Sequence, residues 1–426
     1  MNAPTSIAVG AKPAADPSSD PSLSLFQLLD PAVHADPYPF YASLRERSPV
    51  HWDPFMSTWV VTRYEDVLTV LQTFSADRTP DEKQMTALGL PKLGPVADMM
   101  SRQMLFLDPP AHTRLKKLCY AAFTPRRVDA MASKVKAIAK DLLDRLAPKG
   151  EMDLIADFAE PFPALVAAGL LGVPLEDHRQ LKAWSASFAE MLGNFQHNPD
   201  RIRGVLRTVA EMQDYFRAAI RDQEKNPRDG LIRALMLAEV DGERLAEEEV
   251  IANTIVTMVG GQETTTNLIG NGLLTLIRQP DVLADLRAHP EIMETAIEEL
   301  LRFESPSQHT ARIAKADTTI GGKLIKQGAA VMAVMAAGNR DPERFDDPDT
   351  LDLRRQDNRH LAFGWSTHFC FGAPLARMEA RTAYAMLLER IDDIALATDE
   401  ATLEWRPNSG LRGLVGLPIR YRPSGA

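Results

Sequence analysis

The chain has 426 residues, of which 45% are hydrophobic, and a formal net charge of −10. This length and apolar fraction are typical of a globular protein with a substantial core, and the acidic balance argues against nucleic-acid binding. The sequence contains two cysteines, Cys119 and Cys370, which argues against a disulfide framework and indicates a reducing compartment.

The first 24 residues are rich in Ala, Pro, Ser and Asp, a composition typical of disordered segments. They lack the basic and apolar regions of a signal peptide, and no run of about 18 apolar residues occurs elsewhere. Because there is also no Gly/Ser linker and no internal repeat, we expect a disordered tail over residues 1–24 and one domain over residues 25–426. We further expect a cytoplasmic monomer without a membrane anchor.

Apolar periodicity predicts that most of the domain is helical, with short strands between the helices. Strand signals occur at residues 50–52, 58–62, 311–320 and 329–335, and amphipathic helices are predicted at residues 126–146 and 201–222. Residues 76–107 contain several prolines and glycines and are predicted to form a long irregular loop, which is often functional in compact domains. The predicted fold class is therefore α+β, mainly α with small β-sheets.

A long buried helix is predicted between Glu247 and Pro280. Glutamates at its start suit the helix dipole, and ~30 residues correspond to ~45 Å. Its middle contains Gly260-Gly261-Gln262-Glu263-Thr264, although a glycine inside a helix costs about 1 kcal/mol relative to alanine and a buried charge is expensive unless it is paired. The segment indicates a site where glycines admit a flat cofactor while the acid and the hydroxyl supply protons. The alternative is a helix kink with a solvated carboxylate.

Glu299 and Arg302 follow on a shorter helix that ends before Pro306. Being three residues apart, they share a helical face and can pair. By itself such a pair usually lies on the surface and contributes little to stability.

A lone cysteine, Cys370, lies in the turn-rich run from Phe363 to Gly372, directly before a predicted helix. Pro374 suits the first helical position, so we expect the sulfur near a helix N-terminus, where the dipole and free amide groups favour an anion. One thiolate is what a haem-thiolate iron needs on its proximal side. The alternative is a buried, inert cysteine, which is common.

Together these motifs resemble those of the cytochrome P-450 family. The run from Phe363 to Gly372 is similar to the family's haem-ligand loop: Phe363, His368, Cys370 and Gly372 fit, and Ser366 stands where the family has glycine. The segment from Gly260 to Thr264 resembles the family's oxygen-activating segment, and Glu299-Leu300-Leu301-Arg302 resembles its Glu-x-x-Arg motif. The resemblance covers about residues 36–416 and is best to soluble bacterial members.

The resemblance implies the family's mainly helical triangular-prism fold and haem b, iron protoporphyrin IX, as the cofactor. Cys370 would be the axial ligand of the iron, Thr264 would hydrogen-bond the oxygen molecule, and Glu263 would help relay protons from solvent. The implied cofactor-binding residues are His112, Lys116, Gly260, Gly261, Arg312, Phe363, His368, Cys370 and Gly372. Among them His112, Lys116, Arg312 and His368 would bind the haem propionates, although arginine is usual in place of Lys116. Glu299, Arg302 and Arg344 would form a structural network behind the haem.

The implied activity is monooxygenation of a mostly apolar small molecule by O2, with electrons from a ferredoxin or flavodoxin and its NAD(P)H reductase. A basic face near the cysteine loop could dock an acidic ferredoxin, and its candidate residues are Arg114, Lys117, Arg126, Arg127, Arg359 and Arg377. The predicted substrate pocket consists of Met104, Leu105, Met191, Phe195, Val256, Val259, Gln308 and Leu411. Three alternatives stay open: a peroxygenase that uses hydrogen peroxide directly, a non-catalytic haem-based sensor, and a family member whose haem loop is damaged by Ser366.

Overall fold

The computed structural model describes residues 20–79, 93–192 and 199–424, and it is mainly helical, as the sequence predicts. The α-helices of this part of the chain are α1 Pro31–Ala35, α2 Tyr38–Arg47, α3 Tyr64–Thr73, α4 Gly94–Met100, α5 Ala111–Ala122, α6 Pro125–Leu146, α7 Pro161–Leu171, α8 His178–Ala189, α9 Pro199–Lys225, α10 Leu231–Leu237, α11 Glu247–Ile277, α12 Pro280–Ala288, α13 Met293–Phe303, α14 Met335–Gly338 and α15 Ala373–Arg390. The predicted long helices correspond to α6, α9 and α11.

Short strands complete the fold. They are β1 Val50–Asp53, β2 Thr58–Val61, β3 Glu151–Asp153, β4 Glu239–Val240, β5 Glu243–Arg244, β6 Thr310–Ile313, β7 Thr318–Ile320, β8 Lys323–Ile325, β9 Ala330–Ala333, β10 Ile391–Leu396 and β11 Pro418–Pro423. The sheets have the orders β1-β2-β9-β6 and β10-β11-β3, with hairpins β4-β5 and β7-β8. Strand β9 pairs parallel to β2 and antiparallel to β6, so the segment after α13 is held against the N-terminal hairpin.

Helix α11 is buried along most of its length and positions the site. Helices α7, α8 and α15 pack against it. At the contact with α15, the Tyr384 hydroxyl lies 3.0 Å from the carbonyl oxygen of Leu268 and 2.9 Å from that of Ile269. A Cβ atom added at Gly272 would lie 2.2 Å from the same hydroxyl. Glycine at position 272 therefore lets α15, and with it the preceding cysteine loop, approach the central helix closely.

The apolar core continues through the residues before and within α7. The rings of Phe158 and Phe162 stack with centroids 5.4 Å apart, inside the same core cluster as α11. Among the described residues, Leu154–Leu171 is long and apolar enough to cross a membrane by composition, but 67% of this stretch is buried within the fold. Such burial is what the core helix of a globular protein shows.

Two expectations about irregular segments need correction. The expected tail boundary at residue 24 lies too late, because Pro21–Leu23 forms a 3-10 helix and the buried Ser24 hydroxyl donates to Asp53 at 2.8 Å; residues 1–19 lie outside the described residues. The expected loop over residues 76–107 contains helix α4 and a 3-10 turn at Met104–Phe106, because Val96 and Met99 bury apolar side chains there. Residues 80–92 of that loop also lie outside the described part.

Candidate active site

A cavity of about 600 Å³ lies between α11, the start of α5, strand β6 and the cysteine loop. This volume is typical of ligand pockets. Its wall combines residues from distant parts of the sequence: His112, Gly260, Thr264, Arg312 and Cys370 all contribute. The fold thus brings the separately predicted motifs to one place.

The cysteine loop presents its sulfur at the N-terminal end of α15, as predicted. The Cys370 N–H donates to the carbonyl oxygen of Phe363 at 2.8 Å, which closes the loop. Burial raises the pKa of the Cys370 thiol, whereas hydrogen bonds from the backbone of Gly372 and Ala373 and the charge of Arg377 lower it. Amide donors around a sulfur favour its anionic form, and a bound cation deprotonates such a thiol outright.

Ser366 adopts a left-handed backbone conformation, with φ of 58°. A residue with a Cβ atom pays roughly 1–2 kcal/mol for this conformation, whereas glycine does not. The loop nevertheless keeps its turn, because the Phe369 N–H donates to the Ser366 carbonyl oxygen at 3.1 Å. Ser366 therefore strains the backbone without breaking the loop's hydrogen bonding.

One face of α11 forms a wall of the cavity. Val256, Gly260 and Thr264 recur at four-residue spacing on this face, as neighbours on a helix surface do. Cβ atoms added at Gly260 or Gly261 would meet no atom within 4 Å, so this stretch of backbone is open to a flat ligand. The Thr264 hydroxyl lies on the same wall and donates to the carbonyl oxygen of Gly260 at 2.6 Å.

Glu263 points away from this wall into a cluster of buried charges. Its carboxylate oxygens lie 2.6 Å from Lys182 Nζ and 3.1 Å from an Arg406 guanidinium nitrogen. Lys182 and Arg406 also pair with Glu160. The structure therefore places Thr264 at the cavity and gives Glu263 two cationic partners behind it. The proton-relay role expected for Glu263 stays a prediction.

Three cationic or basic side chains meet on another wall, and we call them the basic wall: His112, Arg312 and His368. All three line the cavity, and the two imidazole rings lie 4.3 Å apart. Among the described residues, His112 Nδ1, Arg312 Nε and His368 Nε2 are buried without a hydrogen-bond partner. Burial, aided by the positive charges nearby, lowers the pKa of His368 to about 3, and burial lowers that of Arg312 to about 10. These groups suit an anionic ligand.

Lys116 is attached to the cysteine loop. Its Nζ donates to the carbonyl oxygen of Thr367 at 2.5 Å and lies 5.5 Å from the ring centre of Tyr120. Lys116 lies four residues after His112 on α5, and therefore on the same helical face. It also borders the cavity.

Five of the eight residues predicted to form the substrate pocket line the cavity. Met104, Leu105, Met191, Val256 and Leu411 line the cavity. Val259 and Gln308 do not, and Phe195 lies outside the described residues. Val259 is buried in the apolar core, and Gln308 donates to the carbonyl oxygen of Ser305 at 2.6 Å within the fold.

Sequence reasoning did not single out several polar side chains of the cavity wall, among them Arg78, His309 and Glu379. His309 is 5% exposed, and burial lowers its pKa to about 4, so the imidazole is neutral near pH 7. Its position next to β6 could have been suspected, because the strand carries Arg312, but alternation over so few residues is a weak signal.

The predicted structural network is present with a different third member. Arg302 and Glu299 are both fully buried and pair at 2.7 Å, and Arg355 Nε completes the cluster at 3.2 Å from Glu299 Oε2. The expectation for Arg344 is wrong: its guanidinium pairs with Asp357 instead, at 2.8 Å. Arg344 follows the short turn after α14, whereas the next loop carries Arg355 back to α13.

The expected basic face is largely neutralised within the chain. Five of its six candidate residues form ion pairs: Arg114 with Glu243 and Glu249, Lys117 with Asp241, Arg127 with Asp229, Arg359 with Asp357, and Arg377 with Glu298. Beside the cysteine loop, Tyr120 and Phe369 are 41% and 37% exposed. The surface beside the cysteine loop therefore exposes aromatic side chains as well as basic ones.

Comparison with known proteins decides the family. The profile described as Cytochrome P450 matches residues 50–394. The chain belongs to the cytochrome P450 family. It is 38% identical over 397 residues to the cytochrome P450 monooxygenase PikC of Streptomyces venezuelae, covering 91% of this chain and 92% of that protein. It is 36% identical to the polyketide biosynthesis cytochrome P450 PksS of Bacillus subtilis, covering 91% and 96%.

A solved relative shares the fold. The crystal structure of P450BioI, in complex with acyl carrier protein ligated to hexadec-9Z-enoic acid, is 35% identical with a TM-score of 0.86 and covers 92% of this chain and 99% of that one. As a cytochrome P450 monooxygenase, the protein binds haem b and uses O2, an organic substrate and a redox partner. The cavity fits that cofactor, because it combines a cysteine sulfur, an open glycine surface and buried donors without partners.

Proposed function

We propose that this protein inserts one atom of O2 into a mostly apolar small organic substrate, with electrons from a ferredoxin or flavodoxin and its NAD(P)H reductase. The other oxygen atom leaves as water, so each turnover consumes two electrons and two protons. The observation that supports this reaction best is one apolar cavity with Thr264, Gly260 and Gly261 on one wall and Cys370 on another. We include in the proposal that the chain from residue 20 onward acts as one monomeric cytoplasmic domain. The two free cysteines, Cys119 and Cys370, suit a reducing compartment of this kind.

Haem, when bound, supplies the centre that activates O2 and oxidises the substrate. Cys370 would bind its iron through the sulfur, and the basic wall, together with Lys116, would bind its carboxylates. Phe363 and Gly372, which line the cavity on either side of Cys370, would shape the surface under the ring. Gly260 and Gly261 would face it from the other side without a side chain in the way.

Thr264 would hold a proton at the reacting oxygen. A hydroxyl both donates and accepts hydrogen bonds, and that of Thr264 lies on the cavity wall with the Gly260 carbonyl as its present acceptor. Glu263 would resupply the proton after exchanging one of its cationic partners, Lys182 or Arg406. The apolar remainder of the wall would keep bulk water away from the reaction.

A mostly apolar substrate fits the side chains of the wall. Met104, Met191 and Leu411 are apolar, and methionines adapt to several shapes. The neutral His309 adds hydrogen-bonding capacity without a charge. Relatives named for polyketide biosynthesis and for a bound long-chain acyl group favour a substrate of similar apolar character.

A reconstituted turnover assay with isotopically labelled O2 tests the proposal. With a ferredoxin and its reductase, label should appear in the product of any substrate that shifts the haem spectrum. Thr264→Ala should lose most of this coupling and release hydrogen peroxide, whereas Thr264→Ser should keep it because the hydroxyl remains. Product formation driven by hydrogen peroxide alone, and equal in Thr264→Ala, would instead favour a peroxygenase. Haem binding without turnover under either condition would favour a sensor.

A further inference from the structure

The basic wall lacks a carboxylate of its own. The acidic group whose charge acts on this wall is Asp108, which raises the pKa of Arg312 and His368. Asp108 is already engaged: it accepts from the Ser75 hydroxyl at 2.6 Å and pairs with Lys315 at 3.4 Å. A haem brings two carboxylates, for which guanidinium groups are the best-matched donors because they bind in two-pronged fashion. On the basic wall, Arg312 alone carries such a group.

Arg78 lies at the same cavity but on a different segment, the loop that follows α3. One of its guanidinium nitrogens donates to the carbonyl oxygen of Ala76 at 3.0 Å, and the group lies 4.5 Å from the ring centre of Phe106. In the described part of the chain it has no ion pair at 4.0 Å or less. Burial, and then the charge of Arg312, lower the pKa of Arg78 to about 9. Two guanidinium groups therefore share this region, and among the described residues neither forms an ion pair.

The cation on α5, Lys116, can offer a positive charge to a carboxylate but no guanidinium group. Lys116 donates to the carbonyl oxygen of Thr367 at 2.5 Å and so holds the cysteine loop. A lysine is also a point charge, which cannot bind a carboxylate in the two-pronged geometry of an arginine. Position 116 thus keeps the positive charge of the arginine that is usual there, but it lacks the guanidinium group.

We propose that Arg78 supplies the second guanidinium group for a haem carboxylate, in place of an arginine at position 116. Arg312 and Arg78 then hold the cofactor from strand β6 and from the loop after α3, while His112 and His368 add donors between them. Cofactor retention in this chain would thus depend on a residue outside the motifs that identify the family. The inference rests on the proposed function only in taking haem as the ligand.

Haem loss from the purified holoenzyme to excess apomyoglobin tests this assignment. Removing a charge-assisted hydrogen bond should make Arg78→Gln lose haem about ten- to a hundredfold faster than the wild type. The haem-loss rate of Arg78→Lys should lie between those of the wild type and Arg78→Gln, because lysine keeps the positive charge but cannot form two parallel hydrogen bonds to a carboxylate. The matched control is Arg102→Gln, an arginine close by in the sequence that pairs with Asp98 and does not line the cavity.

Two further measurements separate a carboxylate contact from a general effect on the fold. Lys116→Arg should restore slow haem loss in the Arg78→Gln background, because it returns a guanidinium group one helical turn from His112. The midpoint potential of the iron should fall in Arg78→Gln, since a positive charge near the cofactor is lost. Equal haem-loss rates for Arg78→Gln and Arg102→Gln, or no rescue and no change in potential, would overturn the assignment. If the wild type binds haem without a thiolate spectrum, the monooxygenase proposal fails, yet these rates still decide the role of Arg78.

Discussion

Two buried clusters of charge in this protein differ in how their charges are balanced. In the cluster of Glu299, Arg302 and Arg355, each guanidinium group reaches the carboxylate, and Arg302 also donates to the Asn339 carbonyl oxygen at 2.8 Å. On the basic wall, Arg312 and His368 have no carboxylate partner and retain unpartnered polar atoms among the described residues. A buried charge needs a compensating partner. The first cluster supplies all of its partners from within the chain, whereas the second lacks an anion, which indicates that a ligand provides it.

Breaking the balanced cluster should have the largest effect. Arg302→Ala leaves the fully buried carboxylate of Glu299 with one cation fewer, and removal of one member of a buried pair costs roughly 3–5 kcal/mol. We expect a corresponding loss in the free energy of unfolding of the holoenzyme, measured with denaturant. Arg344→Ala is the matched control, because its partner Asp357 is exposed; a loss as large as that of Arg302→Ala would contradict this account of the network.

A substitution on the basic wall should change the stability of the protein mainly by weakening haem binding. Arg312→Gln removes a guanidinium group from the cavity, so haem affinity should fall about ten- to a hundredfold. Because a ligand stabilises the folded state by mass action, added haem should restore the melting temperature of Arg312→Gln. It should not restore that of Arg302→Ala. If added haem raised the melting temperatures of both variants equally, the proposed difference between the two clusters would be wrong.

A third buried titratable group, Glu379, sharpens the comparison because it forms no ion pair with any of the described residues. It is 2% exposed on the cavity wall, and burial raises its pKa well above the ordinary value of 4.5. The folded state then holds a proton that the unfolded state releases, so this group's contribution is fully present below pH 4.5 and is lost as pH rises through the folded pKa. Glu379→Gln should match the wild type in acid and exceed its stability at higher pH. The exposed Glu389→Gln, on the same helix, should leave the pH profile of unfolding unchanged, and a parallel shift in both variants would refute the idea.

The smallest effect is expected at Ser366. Ser366→Gly removes the left-handed strain, roughly 1–2 kcal/mol, but adds flexibility to the unfolded chain, so we expect a net gain of about 0.5–1 kcal/mol. Thermal unfolding of the holoenzyme measures it, and Ser366→Ala, which keeps a Cβ atom, should gain nothing. A loss of stability in Ser366→Gly would mean that the serine side chain supports the loop.

The sequence predicted the parts of the site that rest on local patterns. The α11 stretch and the cysteine before α15 carry their signal in residue type and capping, whereas the role expected for His112 came from the family resemblance. The sequence does not identify Arg355 as the third member of the network, because sequence order does not show which loop folds back to Glu299. That contact depends on tertiary packing. The ion pairs that neutralise Arg114 and Arg377 likewise join residues more than 70 positions apart.

The pocket residues show the same limit on a smaller scale. Val259 and Val256 differ by less than one helical turn, so the sequence could not say which of them faces the cavity. Arg78 was missed because a single arginine in a loop belongs to no recognisable sequence motif. Its proposed role becomes visible only in the structure, where it lies close enough to Arg312 for the two charges to interact. Strands β10 and β11 were missed because short strands with weak alternation resemble loops.

The central claim is that Cys370 binds the iron of a haem as a thiolate. The most direct measurement is the carbon monoxide difference spectrum of the dithionite-reduced protein, for the wild type, Cys370→Ser and Cys119→Ala. We predict a strongly red-shifted Soret band in the wild type and in Cys119→Ala, and its loss in Cys370→Ser. A band typical of histidine-ligated haem in the wild type, or a red-shifted band that survives in Cys370→Ser, would contradict the claim.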